Sequence, residues 1–501
     1  MRSSVRRAGR ALLTLAGAFI IAPAAHAHAR QIDTLALRAH TFFLAHDLLG
    51  GRDAGSPGAH TAALYIESQL RRIGLLAAAA DGGYLRPVPL RALRIDPATR
   101  AIVRRGADST VFGHGRDFVI GTGAAAAFHD FGGQALFIGS AANERTAPDD
   151  LAGRVVVLPG TLGPESLEVV PRWIEAGVAG IIQLVPDSAR FALIAGSRGE
   201  DRLFVEGDVD DPVWQPTIAS IIAGPSLTTA LLEGSGLTES ALRGESASAR
   251  PLRREVQVQL TGEPRAIDAA NVAAVLPGSD PALRDEYVVF TAHYDHLGID
   301  RDAPPGADSV YNGFSDNAAG VAMLLEIARE LGDAPPARSV LFLFLTAEER
   351  GLLGASFAAA NPVVPLERMV ALINLDAGAP PVPPVSWRIA GGEDTALGAL
   401  AADIASERGW TTVLGAASPN SDYWPFLRRD VPAIFLIPGN DWEGVNAEQR
   451  DALRRRWDRY HHPDDEWAAD FPFAGLARYA DFALRVGRAA AEQPRRRQPQ
   501  P

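Results

Sequence analysis

The chain has 501 residues, of which 47% are hydrophobic and 22% are charged, and it contains no cysteine. This length and composition are typical of a globular protein with two folded units, or with one unit that carries an insert. The formal net charge is −12, and no basic stripe runs along the sequence. Nucleic acid and anionic lipid are therefore excluded as expected partners. Without cysteine, the chain can form neither a disulfide nor a lipidated cysteine anchor.

Residues 1–27 have the pattern of a secretory signal peptide. Arg6, Arg7 and Arg10 precede the apolar stretch 11–21, and Ala27 ends an Ala-x-Ala cleavage site. The apolar stretch is too short to span a membrane, and a buried N-terminal helix is the alternative interpretation. The pattern predicts export to the periplasm or the medium, without a membrane anchor.

Residues 28–114 are predicted to be the N-terminal part of the domain that continues at residue 251. Apolar residues from Ala63 to Ile73 recur at helical spacing, and Gly74 ends the helix. The Gly-rich stretch 49–58 before this helix is typical of a loop.

Residues 115–250 have a different pattern, in which strand-like pieces are separated by Gly- and Pro-rich loops. His114 and His129, near and within this region, stand alone without the spacing of metal ligands. The pattern predicts a self-contained, β-rich insert that contributes no catalytic group. The predicted strands are 134–139, 154–158, 180–185 and 217–222.

From residue 251 to residue 490, strands and helices alternate. The strands are nearly continuous apolar runs, which is typical of a sheet covered by helices on both faces. We therefore predict an α/β fold with a mixed sheet flanked by helices and an inserted β-rich domain. The tail, residues 491–501, is expected to be disordered. The predicted strands are 287–291, 340–346, 369–375 and 433–437, and the main predicted helices are 317–331 and 473–490.

His293 and Asp295 lie two residues apart at the exit of the first of these strands. The alternation of a strand puts them on one side, and a carboxylate beside an imidazole fixes its tautomer and raises its basicity. One such pair does not define a site, but further polar residues lie at the ends of later strands and in loops. They are Asp316, Glu348, Glu349, Asp376 and His461.

Two histidines and three carboxylates beside a spare glutamate suit two zinc ions. Asp316, Glu349 and Asp376 together with one hydroxide would balance the charge of two Zn²⁺ ions, which avoids a buried net charge. Each residue also has a simpler interpretation. Asp316 could cap the helix after it, and Glu348 and Glu349 could be a solvated strand end.

Five segments in chain order resemble the secreted di-zinc aminopeptidase family, and the resemblance covers nearly the whole predicted mature chain. That family has the zinc-exopeptidase fold, and many members carry a protease-associated domain insert. The stretch 50–56 and the insert 115–250 are similar to the subgroup that carries it. The five segments are 292–298 (AHYDHLG), 312–321 (NGFSDNAAGV), 345–354 (LTAEERGLLG), 373–376 (INLD) and 459–464 (RYHHPD).

The resemblance implies a metal role for each candidate ligand. His293 and Asp376 would bind one zinc ion, and Glu349 and His461 would bind the other. Asp316 would bridge the two ions.

The resemblance also implies roles in catalysis and substrate binding. Asp295 would orient the histidine of its motif, Glu348 would be the general base, and Tyr460 would help to stabilise the oxyanion. Asp422 and Tyr423 lie in a segment similar to one near the family's substrate pocket, so they are candidate substrate-binding residues.

The sequence departs from the family pattern at two places that concern pocket walls. Phe314 and Ser315 precede the bridging aspartate in place of alanine and an acidic residue, and 377–380 replaces a methionine-containing turn. His296 and His462 are interpreted as packing residues or as neighbours that support the ligands.

The implied activity is a zinc-dependent exopeptidase that hydrolyses N-terminal residues from peptides with a free N-terminus, through a metal-bridging hydroxide. Three alternatives stay open: a carboxypeptidase of the glutamate carboxypeptidase type, a glutaminyl cyclase, and a catalytically silent binding protein on the same fold. A carboxypeptidase of that type would be expected to add a long helical C-terminal domain.

Overall fold

A computed structural model describes most of the chain after residue 31. The predicted signal peptide and residues 495–501 of the predicted disordered tail lie outside the described residues. No helix in the described part has both the length and the apolar character needed to cross a membrane. The described residues are 32–79, 82–121, 128–139, 150–161, 169–197, 201–206, 218–237, 242 and 249–494.

The N-terminal region contains two helices whose ends are determined by local sequence signals. The side chain of Asp33 accepts a hydrogen bond from the first turn of α1, and Ser56 does the same for α2. Gly74 ends α2 in the left-handed conformation, as predicted. The elements are α1 (Thr34–Leu44), a 3₁₀-helix (Asp47–Arg52), α2 (Pro57–Ile73), β1 (Leu76–Ala77), β2 (Leu85–Pro87) and β3 (Leu90–Ile95).

The middle region forms an eight-stranded sheet in the order β5-β4-β12-β7-β8-β9-β11-β6, and a small sheet in the order β10-β3-β13. Its elements are β4 (Arg100–Arg105), β5 (Asp108–Gly113), β6 (Phe118–Ile120), β7 (Phe131–Ile138), β8 (Val155–Pro159), α3 (Val169–Glu175), β9 (Gly180–Leu184), α4 (Ser188–Ser197), β10 (Asp201–Val205), β11 (Ser220–Ala223), α5 (Pro225–Leu232), β12 (Ala249–Gln259) and β13 (Gly262–Ile267).

The eight-stranded sheet extends beyond the predicted insert boundaries on both sides. It includes β4, because β4 pairs with β12 in antiparallel register, with Val103 opposite Val256. The sheet has its own apolar core, in which Phe137 and Ile182 are fully buried. The small sheet packs against the C-terminal region, since Val205 shares an apolar cluster with Ala347 and Leu353.

The C-terminal region forms the main part of a nine-stranded sheet with helices. Its elements are β14 (Ala270–Leu276), β15 (Tyr287–His293), β16 (Gly298–Ile299), β17 (Val310–Tyr311), a π-type turn (Phe314–Ala318), α6 (Ala319–Asp333), β18 (Ser339–Leu345), α7 (Leu353–Ala360), a 3₁₀-helix (Leu366–Arg368), β19 (Met369–Asn374), β20 (Ser386–Ala390), α8 (Ala396–Ser406), β21 (Thr411–Gly415), α9 (Trp424–Leu427), β22 (Ala433–Pro438), α10 (Ala447–Trp457) and α11 (Ala474–Glu492).

The nine-stranded sheet is mixed and is covered by helices on both faces, which confirms the predicted fold class. Its order is β1-β14-β18-β15-β19-β22-β20-β21, with β2 paired to β14. Successive residues of β15 alternate between two apolar layers. Phe290 packs with residues of α6 and α11, whereas Val289 packs with residues of α7 and α9.

Four neighbouring strands of this sheet, β18, β15, β19 and β22, run parallel. Their carboxyl ends therefore meet at one edge, where open α/β sheets bind ligands. His293 ends β15, Glu348 and Glu349 come after β18, and Asp376 comes after β19. The topology thus brings the candidate residues of three distant segments together.

Candidate functional site

The first group of side chains consists of His293, Asp316 and Asp376. The Nε2 atom of His293 lies 2.8 Å from Oδ1 of Asp376 and 3.1 Å from Oδ1 of Asp316. Burial disfavours the charged imidazole, but the neighbouring Asp376 and Glu348 carboxylates outweigh it and hold the pKa of His293 well above its usual value. Burial raises the pKa of Asp376. The three groups are a candidate binding site for a cation.

The second group shares Asp316 with the first. The Nε2 atom of His461 lies 3.1 Å from Oδ2 of Asp316 and 3.2 Å from Oε2 of Glu349. Burial opposes the charge of His461, but these two carboxylates raise its pKa to about 10. Asp316 therefore turns one oxygen toward each group, as a bridging ligand must.

His296 also belongs to the second group, although the sequence indicated only a packing or supporting role. Its side chain is fully buried, and its Nδ1 atom lies 2.6 Å from Oε1 of Glu349. Burial and Asp316 raise the pKa of Glu349, but hydrogen bonds from His296 and His461 outweigh them, and the net shift is downward.

Asp316 does not cap a helix. Its backbone has φ −127° and ψ 92°, and α6 begins only at Ala319. The loop before α6 is held by the buried carboxylate of Asp465, which accepts hydrogen bonds from the backbone N–H groups of Ser315 and Asp316, at distances between 3.0 and 3.3 Å. Sequence reasoning missed Asp465, although it lies four residues after His461.

The Asp295 carboxylate lies beside His293 at ion-pair distance but makes no hydrogen bond to its ring. The backbone oxygen of Asp295 lies 3.1 Å from Nδ1 of His293, whereas its Oδ1 atom is 3.8 Å away. That carboxylate oxygen instead accepts a hydrogen bond from the backbone N–H of Glu348 at 3.1 Å. Burial raises the pKa of Asp295 to about 7. Asp295 thus links the ends of β15 and β18.

Glu348 and Glu349 point in different directions, as adjacent residues after a strand do. Glu349 contacts two imidazoles, whereas the half-buried Glu348 carboxylate accepts no hydrogen bond from any residue in the described part of the chain. Burial raises the pKa of Glu348 well above its usual value. Glu348 is therefore a carboxylate of the site that is free to exchange a proton.

A buried hydrogen-bond relay fixes the second oxygen of Asp376. Ser421 donates to Oδ2 of Asp376, the Asn374 side chain donates to Ser421 at 2.7 Å, and Thr291 donates to Asn374 at 2.7 Å. The relay crosses β15 and β19 and reaches the loop before α9. Such outer partners orient a ligating carboxylate.

The remaining predicted site residues differ in their surroundings. Asp422 is fully buried, and neither of its carboxylate oxygens has a hydrogen-bond partner among the residues that the structure describes. The Tyr423 hydroxyl contacts the backbone of Ser418, so Tyr423 holds its own loop. Tyr460 is 67% exposed and stacks on His461, with ring centroids 3.8 Å apart.

Arg52 is a buried cation that sequence reasoning did not assign to the site. Its guanidinium donates to the backbone oxygens of Leu44, Tyr294, Asn312 and Gly313. Burial lowers its pKa to about 10. Arg52 therefore joins the loop after β15 to the loop that carries Asp316. The sequence signal that could have identified it is its position in the segment 50–56, which resembles the insert-bearing subgroup.

The donor set fits divalent cations. Carboxylate oxygens and imidazole nitrogens converge in two groups around Asp316, and no arginine among the described residues donates to Asp316, Glu349 or Asp376. Nitrogen and carboxylate ligands in this combination suit zinc.

Residues 271–486 match the model of peptidase family M28. The chain carries a peptidase family M28 domain. The match agrees with the resemblance of the sequence motifs to a peptidase family. The matched residues contain every candidate side chain of the two groups, whereas Arg52 and the middle region of the chain lie outside them.

The M28 domain has relatives of known name. A protein named Probable lipoprotein aminopeptidase, from Mycobacterium tuberculosis, is 24% identical over 340 residues, which are 67% of this chain and 56% of that protein. A Probable zinc metalloprotease from Pyricularia oryzae is 34% identical over 99 residues, which are 19% of this chain and 18% of that protein. This chain thus spans about half of the first relative and less of the second.

A solved structure shares the overall fold. The aminopeptidase from Aneurinibacillus sp. strain AM-1 aligns with a TM-score of 0.57 at 18% identity, over 93% of this chain and 96% of that chain. The alignment therefore includes the middle region as well as the M28 domain.

Proposed function

We propose that the protein is a di-zinc aminopeptidase that removes residues from the free N-terminus of peptides. The observation that carries the proposal is the position of Asp316, which turns one carboxylate oxygen to each of two donor groups beside the unpartnered Glu348. The names of two relatives, an aminopeptidase and a zinc metalloprotease, support it.

His293 and Asp376 would hold one zinc ion, Glu349 and His461 would hold the other, and Asp316 would contact both. Two bound zinc ions supply Lewis acidity toward the scissile carbonyl and lower the pKa of water. Ser421 supports this arrangement, because its hydrogen bond leaves Asp376 a single free oxygen.

Glu348 would move the proton in the reaction. Its carboxylate accepts no hydrogen bond from the residues that the structure describes, and burial raises its pKa well above its usual value, which favours return of the proton. Glu348 would take a proton from the attacking water and deliver it to the nitrogen of the leaving peptide. Tyr460, which stacks on His461, would help to stabilise the oxyanion by donating a hydrogen bond to it.

The buried Asp422 carboxylate supports recognition of an amino terminus. A buried carboxylate without a hydrogen-bond partner is costly, and a cationic group of the substrate would offset that cost. A C-terminal carboxylate would need an arginine clamp instead. The arginines of the motifs are engaged elsewhere, since Arg350 donates to Asp53, and Arg459 lies 3.9 Å from Asp464.

We further propose that residues 115–250 are a protease-associated insert that shapes access to the site, and that residues 1–27 direct export. Residues 377–380 would determine side-chain preference, whereas Phe314 packs on Phe471 and Phe473 in the core and is not part of a pocket wall. These proposals concern access and location, whereas the chemistry depends on the M28 domain alone.

A panel of aminoacyl-p-nitroanilides, assayed before and after dialysis against a chelator, tests the activity. We expect release of p-nitroaniline that the chelator abolishes and that added zinc restores. Elemental analysis of active, undialysed protein should give two zinc ions per chain. One metal ion or none in active protein would overturn the two-zinc assignment.

Two blocked forms of one good peptide substrate test the direction of attack. N-acetylation should abolish cleavage, and C-terminal amidation should leave it unchanged. Cleavage of the acetylated peptide but not of the amidated one would make the protein a carboxypeptidase. Binding of both peptides without cleavage of either would favour a silent binding protein.

A further inference from the structure

His296 is the third imidazole of the site and the second of its group. The side chain is fully buried. Its backbone N–H donates to the backbone oxygen of Arg52 at 3.2 Å. A Cβ atom at Gly313 would lie 2.2 Å from the backbone oxygen of Asp316 and 2.6 Å from Cδ2 of His296, so glycine leaves room for both.

The distances at the site distinguish His296 from His461, whose imidazole faces the carboxylates of both Asp316 and Glu349. The Nε2 atom of His461 lies at similar distances from both carboxylates, 3.1 Å from Asp316 and 3.2 Å from Glu349. The Nδ1 atom of His296 instead lies 2.6 Å from Glu349 and 3.8 Å from Asp316. A short contact to one oxygen is typical of a charge-assisted hydrogen bond.

We propose that His296 is a positioning residue, which donates its Nδ1–H to Oε1 of Glu349 and thereby keeps Oε2 directed at the second zinc position. The inference rests on the proposed two-zinc site. A hydrogen bond at one ring nitrogen selects the tautomer, so Nδ1 carries the proton. The Nε2 atom is buried and has no hydrogen-bond partner in the described part of the chain, so it does not compete for that role.

The hydrogen bond from His296 explains how Glu349 can present a single oxygen to the second zinc position. A carboxylate with two free oxygens can rotate between coordination modes, whereas one with an occupied oxygen presents only the other. Loss of such an outer partner usually lowers metal affinity by about 10–100-fold. The first donor group has its counterpart in Ser421, which occupies one oxygen of Asp376.

Zinc affinities of three variants, measured by competition with a chromophoric chelator, test the proposal without any need for turnover. In His296→Ala, the affinity of one zinc should fall by about 10–100-fold while the other is unchanged, and two zinc ions should still bind at saturation. His296→Asn should retain more of the affinity, since its amide nitrogen lies near the position of Nδ1. His60→Asn, on the half-exposed face of α2, is the matched control and should bind zinc as the wild type does.

Each contrary result has a separate meaning. Unchanged affinities in His296→Ala, or an asparagine variant no better than alanine, would overturn the positioning role. Binding of one zinc at saturation in His296→Ala, with an unchanged thermal midpoint of the metal-free protein, would make His296 a ligand and also overturn it. A wild-type protein that binds no zinc would overturn the proposed function and this inference together. Two bound zinc ions without peptidase activity would overturn the proposed function but not the positioning role of His296.

Discussion

The nine-stranded and eight-stranded sheets share one feature of topology and differ in the residues at the ends of their strands. Each contains four neighbouring parallel strands: β18, β15, β19 and β22 in the first, and β7, β8, β9 and β11 in the second. Within the described residues, clusters of histidine and carboxylate with metal-ligand spacing occur only at the first sheet. A parallel sheet edge is therefore a place for a site, and the residues at the strand exits decide whether one is present.

The residues at the strand ends differ between the two sheets. Gly160 and Gly224 come directly after β8 and β11, and their N–H groups bond to backbone oxygens of neighbouring segments. At the first sheet, His293 ends β15 and Asp376 lies two residues after β19, and the two side chains contact each other. The loops beside them are held by the buried Arg52.

The largest expected effect comes from the two glutamates after β18. Glu348→Gln should retain zinc and lower kcat by about 10²–10⁴-fold, because it removes the general base. Glu349→Gln should instead weaken zinc binding. Steady-state kinetics and metal analysis on both variants check this, and the assignment is reversed if both retain zinc and the Glu349 change is the milder.

A matched pair of core substitutions separates the two sheets. Phe137→Ala in the core of the second sheet and Phe342→Ala in the core of the first should each lower the free energy of unfolding by about 3–5 kcal/mol. Only the change at Phe342, in the strand that leads to the glutamates, should also weaken zinc binding. Urea unfolding and zinc titration are the measurements. A loss of zinc binding in Phe137→Ala would contradict the proposal that only the first sheet carries the zinc site.

Arg52→Met tests the polar support of the site. The free energy of unfolding should fall by about 2–3 kcal/mol, because several buried backbone oxygens lose their donor while methionine fills part of the volume. Arg100→Met is the control, since Arg100 is an exposed residue of β4 and its loss should cost less than about 0.5 kcal/mol. Equal effects in urea unfolding would show that Arg52 does not support these loops.

The smallest expected effect lies in the small sheet that connects the two regions. Burial raises the pKa of Asp201, but hydrogen bonds from Arg265 and Arg94 outweigh it, and the net shift is downward. A lowered pKa stabilises the fold above the unfolded-state value of about 3.9, and this stabilisation is lost as the pH falls through the folded-state pKa.

Asp201→Asn should therefore lower the free energy of unfolding by about 0.5–1 kcal/mol at neutral pH. The difference from the wild type should be constant down to about pH 5 and should disappear at lower pH, where the wild-type carboxyl is also neutral. Urea unfolding at several pH values is the measurement. A difference that persists at low pH would point to packing as its cause.

The sequence predicted the four parallel strands of the first sheet within one or two residues, because each is an apolar run bounded by polar residues. The predicted boundaries were less accurate where contacts between distant segments determine where a domain or a helix begins and ends. β4 and β12 join the second sheet from outside 115–250, and α6 begins at Ala319 because the preceding loop turns Asp316 toward the histidines.

By itself, the sequence determined the class of the sheet and the residues at its carboxyl edge, since strand periodicity and chain order suffice for both. Only the tertiary structure decided which atoms meet there. Arg52 contacts the loop of Gly313, which is 261 residues away, and His296 contacts Glu349 across 53 residues. Local patterns carry no information about such contacts, because they arise only when the sheet and its loops are packed together.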